Sequence, residues 1–261
     1  NDVADRGLVL LGCGKMGSAM LQGWLAGGLP ASSVWVLDPF PSDWVRSLDA
    51  LNLNVELPGD PAVVLVAVKP QMMGEALPVL QSLGNGSALF LSVAAGTAIS
   101  AYEAVLGQST PIVRAMPNTP AAIGRGITAL FGNRHVNDAQ MALAEALLSA
   151  VGQTVLLDNE AQMDAVTAVS GSGPAYVFHL IETLAAAGAA QGLPQDMAMR
   201  LAKATVGGAG ALAEDADETP EQLRINVTSP GGTTAAALAV LMDADNGFPG
   251  LLMRAVQAAA D

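Results

Sequence analysis

Short, uninterrupted apolar runs alternate with segments of helical spacing through the first part of the chain. The run Gly7-Leu8-Val9-Leu10-Leu11 is too short for a helix and long enough for a buried strand, and residues 18–25 behind it carry helical periodicity. Residues 34–37 predict a second strand that ends at Asp38, 42–51 a helix, and 54–56 a short third strand. The β-branched run 62–68 is the clearest strand, of the kind covered on both faces in a parallel sheet. A helix over 72–83, strands over 88–93 and 111–116, a helix over 137–150 and a strand over 154–157 continue the alternation. Strands separated by helices predict an α/β fold with a doubly wound, mostly parallel sheet.

From Glu160 onward the strand pattern stops and Ala-rich helical stretches, broken by glycine and proline, take over. Helices are expected over 161–169, over 174–191 with Gly192 as the C-terminal glycine, from Pro194, from Pro220, over 235–241 and near 250–260. The composition shift places a boundary near 159, so that residues 1–159 form one domain and 160–261 an all-helical second one. Gly207, Gly208 and Gly210 lie inside one of these helices, where their missing side chains permit close packing against a neighbour. An all-helical half this apolar and this short is expected to bury its surface against another subunit.

The most informative local pattern is Gly12-Cys13-Gly14-Lys15-Met16-Gly17, set between the first strand and the first long helix. In that context the first glycine makes a tight turn, the second lets backbone approach a pyrophosphate, and the third lets helix and strand pack closely. The free N–H groups and positive dipole end of the helix then face phosphate. A Rossmann-like dinucleotide-binding domain is therefore expected. Asp38, about 20 residues beyond Gly17, stands where a carboxylate accepts hydrogen bonds from the adenosine ribose and favours NAD over NADP. An Asp-Pro pair also ends strands without touching any ligand. Lys69 and Pro70 follow the 62–68 strand, at the carboxyl edge where such sheets bind ligands. A solvated lysine at a strand end explains Lys69 equally simply. The small turn Ala94-Ala95-Gly96-Thr97 allows a nicotinamide or ribose to come close to backbone.

Composition narrows the classes. The net charge of −13, with only 11 scattered Lys and Arg, argues against a nucleic-acid backbone as partner. The single cysteine, Cys13, excludes an internal disulfide framework and fits a reducing cytoplasm. No apolar run reaches the ~18–20 residues of a membrane span, and residues 1–6 lack the features of a secretory signal. A cytoplasmic protein without membrane or nucleic-acid partners is expected. His135 and His179 are the only histidines and have no paired ligand spacing, so no metal site is expected. Gly171-Ser172-Gly173 lies outside the strand–turn–helix context of a nucleophile elbow. Dehydrogenation of an alcohol asks for a base of near-neutral pKa, and the helical half offers only His179 and Lys203 without a supporting triad. Reduction of an imine asks for less, because a protonated C=N already attracts hydride. Hydroxyls such as Ser229, Thr233 and Thr234, beside backbone amides, suffice to orient it and pass a proton through water.

Six motifs in order complete the picture: residues 12–17, Val66-Ala67-Val68-Lys69-Pro70-Gln71, Ser92-Val93-Ala94-Ala95-Gly96-Thr97, Arg114-Ala115-Met116-Pro117-Asn118-Thr119-Pro120, Ser170-Gly171-Ser172-Gly173-Pro174-Ala175-Tyr176, and Thr228-Ser229-Pro230-Gly231-Gly232-Thr233-Thr234. Together they resemble the pyrroline-5-carboxylate reductases, and the last is the most specific. The resemblance implies reduction of 1-pyrroline-5-carboxylate to L-proline by NADH or NADPH, the final step of proline biosynthesis. It also implies that Gly12, Cys13, Gly14, Lys15, Met16, Gly17, Ala67, Val68, Lys69, Pro70, Val93, Ala94 and Ala95 hold the cofactor, with Asn226 contributing from the helical domain. Glu160, Thr167, Ser229, Gly231, Gly232, Thr233 and Thr234 would line the substrate pocket. Ser229 and Thr234 are the expected catalytic residues, Thr234 being nearest the ring nitrogen. Members of the family dimerise through intertwined helical domains, and many stack dimers into a ring.

The chain departs from the family at two places. Asp38-Pro39 stands where many members have a small polar residue followed by Arg, which leans the cofactor towards NADH. The segment 52–61 is shortened where many carry an Asn near the adenosine, and neither Asn52 nor Asn54 inherits that role. Two other readings fit a dinucleotide fold: a β-hydroxyacid dehydrogenase relying on Lys203 or His179, and a non-catalytic dinucleotide sensor.

Overall fold

The computed structural model describes residues 2–261. The chain folds in the order α1 (Asp2–Arg6), β1 (Leu8–Leu11), α2 (Lys15–Ala26), β2 (Val34–Leu37), α3 (Asp43–Arg46), β3 (Asn52–Leu53), β4 (Val63–Val66), α4 (Met73–Ala76), β5 (Leu89–Ser92), α5 (Ile99–Leu106), β6 (Ile112–Met116), β7 (Gly126–Gly132), α6 (Asp138–Leu148) and β8 (Gly152–Leu156). The helices α7 (Gln162–Val166), α8 (Gly173–Ala190), α9 (Gln195–Asp215), α10 (Pro220–Asn226), α11 (Thr233–Leu241) and α12 (Phe248–Ala260) follow. No strand follows β8 among the described residues.

The strands form one eight-stranded sheet in the order β3-β2-β1-β4-β5-β6-β7-β8. β1 to β6 are parallel, β7 runs antiparallel to β6, and β8 is parallel to β7. The order 3-2-1-4-5-6 is the doubly wound one, and its reversal point lies between β1 and β4. Alternation along each strand sends side chains to two separate cores. Leu8, Leu10, Val63, Leu65, Leu89 and Leu91 face one, and Val9, Leu11, Val64, Val66 and Phe90 the other. All are almost fully buried, each stabilising the sheet by about 1.5–3 kcal/mol.

Several elements differ from the sequence expectation for identifiable reasons. The helix expected over 42–51 is only α3, which ends at its C-cap Ser47, whose hydroxyl donates to Trp44 O at 2.7 Å, and Ala50, at φ 63°, lies outside the helical region beyond it. The third strand is Asn52–Leu53 rather than 54–56, since Asn54, at φ 52°, has left the extended region. The helix expected over 72–83 is α4 flanked by 3-10 turns, the second of which, Leu77–Leu83, carries Pro78 near its start. β7 and α5 were not anticipated. Asn137 caps α6 in a reciprocal capping box with Gln140, so that helix begins where its sequence says it does.

The chain divides into two compact units, the first running through Gly171 and the second from Ser172 to Asp261. The division falls later than the composition boundary near 159 because 160–171 packs onto the sheet-bearing unit, where Glu160 pairs with Arg114 at 3.1 Å. In the second unit α8 and α9 lie against each other around buried Ala185, Ala198 and Ala202. Many of its large apolar side chains remain exposed, among them Phe178 (59%), Leu212 (59%) and Met253 (73%). A side chain added at Gly207, Gly208 or Gly210 would meet nothing within 4 Å among the described residues, so the second unit by itself does not make the close packing expected there. No helix is long and apolar enough to cross a membrane among the described residues.

Candidate active site

The glycine loop leaves β1 at the reversal point of the sheet, and its three glycines meet three different constraints. Gly12 has φ 85°, and its N–H donates to Leu37 O at 2.8 Å. A Cβ on Gly17 would lie 2.6 Å from Gly12 O, so only glycine lets α2 start that close to the turn. At Gly14 nothing lies within 4 Å of an added Cβ. Gly14 is also the N-cap of α2 and supplies no side-chain cap. The first-turn N–H groups of a helix have no partner inside it, so this end is shaped for an anion. Lys15 is exposed beside it, Met16 is half-buried and Cys13 is buried. Burial pushes the Cys13 thiol up from its ordinary value, with the Asp38 charge adding to this and a hydrogen bond with Ser18 opposing it.

Asp38 does more than end β2. Its Oδ2 accepts the Cys13 N–H at 2.7 Å and its Oδ1 the Phe40 N–H at 2.8 Å. Asn54 grips the backbone of the same residue from both sides, accepting Asp38 N–H at 2.9 Å and donating to Asp38 O at 2.8 Å. Asn52 instead donates to Ser32 O and Val34 O. Both asparagines thus hold the β2–β3 edge together.

The structure brings the loop after β4 to the glycine turn. Ala67 N–H donates to Leu11 O at 2.8 Å, and Val68 lies where a Gly12 side chain would stand. Lys69 and Pro70 are exposed at the start of a 3-10 turn. Next along the edge, Val93 N–H donates to Val66 O at 3.0 Å. Ala94 is buried, with its N–H on Ser92 Oγ at 3.2 Å, and Ala95 is half-buried.

Beneath this loop lies a polar cluster that residue-by-residue reading missed. The Ser92 hydroxyl bonds the Tyr102 hydroxyl, which also engages Thr97. Arg114, the ladder neighbour of Ser92, is 6% exposed and pairs with Glu160. Glu160 Oε1 also accepts the Ile99 N–H at 2.8 Å. One signal was available: an arginine in the otherwise apolar strand Ile112-Val113-Arg114-Ala115-Met116 must find a buried partner. Thr167 opens a π-helical turn, Thr167–Gly171, and its hydroxyl donates to Met163 O at 2.8 Å. Such turns recur at functional sites.

The remaining expected residues belong to the second unit. Thr228 Oγ1 donates to Arg224 O at 2.6 Å, and Gly232 N–H donates to Ser229 O at 3.1 Å, which closes a turn through Gly231 at φ 69°. Gly232 is the N-cap of α11 without a side-chain cap, and Thr233 and Thr234 are its first two residues. Ser229 and Thr233 are exposed and Thr234 is half-buried. A turn that opens into a helix start with hydroxyls at hand is suited to a small carboxylate. Asn226 ends α10 and accepts from Gln222 at 2.8 Å. His179 pairs with Glu182 at 3.1 Å on the exposed surface of α8, and Lys203 is exposed.

A family model described as pyrroline-5-carboxylate reductase dimerisation matches residues 160–261, and one described as coenzyme F420-dependent NADP oxidoreductase matches 8–96. The chain is 40% identical over 258 residues to the pyrroline-5-carboxylate reductase of Pseudomonas aeruginosa, spanning 97% of this chain and 94% of that one. It is 45% identical over 208 residues to the Synechocystis sp. enzyme of the same name, spanning 79% and 75%. Among solved structures, a pyrroline-5-carboxylate reductase from Coxiella burnetii matches with a TM-score of 0.90 at 32% identity, over 98% of this chain and 96% of that one. The Plasmodium falciparum pyrroline carboxylate reductase with NADP bound matches with a TM-score of 0.83 at 30% identity over the same shares. With relatives this similar over nearly its whole length, the chain belongs to the pyrroline-5-carboxylate reductase family.

Proposed function

We propose that this protein reduces 1-pyrroline-5-carboxylate to L-proline with NADH or NADPH, the final step of proline biosynthesis. The observation that carries the reading is the turn through Ser229 and Gly231 into the uncapped start of α11, with Thr233 and Thr234 at its head. A ring substrate with one carboxylate and one imine needs such an anion seat beside hydroxyls. The residues of the first unit fit a dinucleotide, since a side chain at Gly14 would fill space that is open and faces an uncapped helix start.

The cofactor group, when bound, supplies a hydride to the imine carbon. The chain's own residues do the rest. Gly231, Gly232, Thr233 and the backbone after Ser229 hold the carboxylate, and Thr234 orients the ring nitrogen. Ser229 and Thr234 relay the proton that nitrogen takes as the C=N bond becomes C–N. Thr167 is assigned to the substrate on the resemblance alone. Glu160, which the resemblance would place in the substrate set, has one carboxylate oxygen taken up by the Ile99 N–H and by Arg114 inside the first unit. On the cofactor side, residues 12–17, Ala67 to Pro70 and Val93 to Ala95 of the first unit act together. Functionally, residues 1–159 carry the dinucleotide site, and 160–261 carry the dimerisation helices and the turn from Ser229 to Thr234.

Asp38 favours NADH, because its carboxylate would repel a ribose 2′-phosphate and still has lone pairs for ribose hydroxyls. The exposed apolar side chains of the second unit support a homodimer formed through the helices, on which dimers can stack into a ring. The lone free Cys13 supports a cytoplasmic enzyme.

The test is turnover by the purified protein, with pyrroline-5-carboxylate and each reduced nicotinamide in turn. Cofactor oxidation matched by proline formation is expected. No oxidation with either cofactor overturns the reading.

A further inference from the structure

The loop of residues 93–97 is fastened at both ends by buried or half-buried polar groups. At its start, Ser92 Oγ takes the Ala94 N–H at 3.2 Å and is itself held by the Tyr102 hydroxyl. Past its end, Ile99 opens α5, and its N–H goes to Glu160 Oε1 at 2.8 Å. The same oxygen takes Arg114 Nη1 at 3.1 Å. The Arg114 side chain is 8% exposed and that of Glu160 30%. A buried guanidinium needs its carboxylate, and removing one partner strands the other. Arg114 also sits beside Ser92 in the β5–β6 ladder, so one row of side chains connects both fastenings.

A carboxylate oxygen shared by a helix-start amide and a buried arginine is set to hold backbone, not to receive a substrate. We propose that Arg114 and Glu160 are positioning residues for the cofactor. They fix the end of the 93–97 loop through the Ile99 amide and thereby set dinucleotide affinity, rather than binding pyrroline-5-carboxylate. This rests on the reading that Val93, Ala94 and Ala95 contact the cofactor. Neither residue touches the reacting atoms.

The experiment is a fluorescence titration of the intact protein with NADH and with NADPH, for the wild type, Glu160→Ala, Glu160→Gln, Arg114→Gln and Arg114→Lys. Melting temperatures and separate KM values for cofactor and imine are measured alongside. Glu160→Ala and Arg114→Gln are expected to raise the cofactor Kd about tenfold, the order for one lost charge-assisted bond, while the imine KM moves less than twofold. Glu160→Gln keeps an acceptor for Ile99 and Arg114→Lys keeps the cation, so both recover part of the affinity. They also stand in where the harsher variants fail to fold. A raised imine KM with unchanged cofactor Kd makes Glu160 a substrate residue and overturns the proposal. A lowered melting temperature with unchanged Kd makes the pair merely structural and overturns it equally. The titration needs no turnover, so it reads the proposal even if imine reduction itself is not observed.

Discussion

Asp38 Oδ2 lies 2.7 Å from the backbone nitrogen of Cys13, so the carboxylate at the end of β2 holds the glycine turn that follows β1. A hydrogen bond to a charged group contributes about 1.5–3 kcal/mol. Asp38→Ser shortens the side chain and removes its charge. Two effects are expected: a weaker grip on the loop, and less discrimination against a 2′-phosphate. The ratio of kcat/KM with NADH to that with NADPH should fall in this variant. An unchanged ratio means that the carboxylate serves only the loop.

The glycines of the loop make separable predictions. Gly17→Ala places a Cβ against Gly12 O, at 2.6 Å, and should lower the melting temperature clearly. Gly14→Ala meets nothing and should leave the melting temperature nearly unchanged while weakening NADH binding about tenfold or more, as a methyl occupies the phosphate's approach. Calorimetry and NADH titration on the two variants check this. Equal affinity in Gly14→Ala and wild type would remove that residue from the cofactor cradle.

Thr234→Ala should lower kcat/KM for the imine by about 1–3 kcal/mol of transition-state stabilisation, the order for losing one hydrogen bond in a desolvated site. NADH affinity should not change. Wild-type kinetics in this variant would take Thr234 out of the mechanism.

Burial pushes the Tyr102 hydroxyl above the ordinary tyrosine value, against hydrogen bonds from Ser92 and Thr97 and the charge of Arg114, which pull it down. In the unfolded chain this phenol ionises near pH ~10, whereas in the folded chain it stays protonated to higher pH. Its contribution to stability is therefore complete below that pH and is lost as pH rises through the folded value. Melting temperatures measured across the alkaline range should fall more steeply for the wild type than for Tyr102→Phe. Parallel curves would contradict the buried, neutral state.

Where the chemistry was local, it was legible in the sequence. The strands β1, β4 and β5 announce themselves because a parallel strand covered on both faces needs an uninterrupted apolar run, and Val63-Val64-Leu65-Val66 allows little else. The glycine turn was readable because each of its constraints lies within a few residues. β7 escaped because Gly126-Ile127-Thr128-Ala129-Leu130 mixes exposed and buried positions next to its antiparallel neighbour. The tie of residue 160 to the sheet is not legible locally, because Glu160 meets Arg114 and Ile99, 46 and 61 residues away. The same holds for Asp38. Its position after β2 hinted at a ribose, but its bond to Cys13 appears only once β1 and β2 lie side by side.

The central claim is hydride transfer to the imine carbon, and isotope tracing tests it most directly. The purified protein is given pyrroline-5-carboxylate and NADH, or NADPH, deuterated at the transferable position of the nicotinamide, and the product is read by mass spectrometry and NMR. The account predicts proline carrying a single deuterium on its δ carbon, one per cofactor oxidised. Proline without deuterium, or no proline at all with either cofactor, would contradict it.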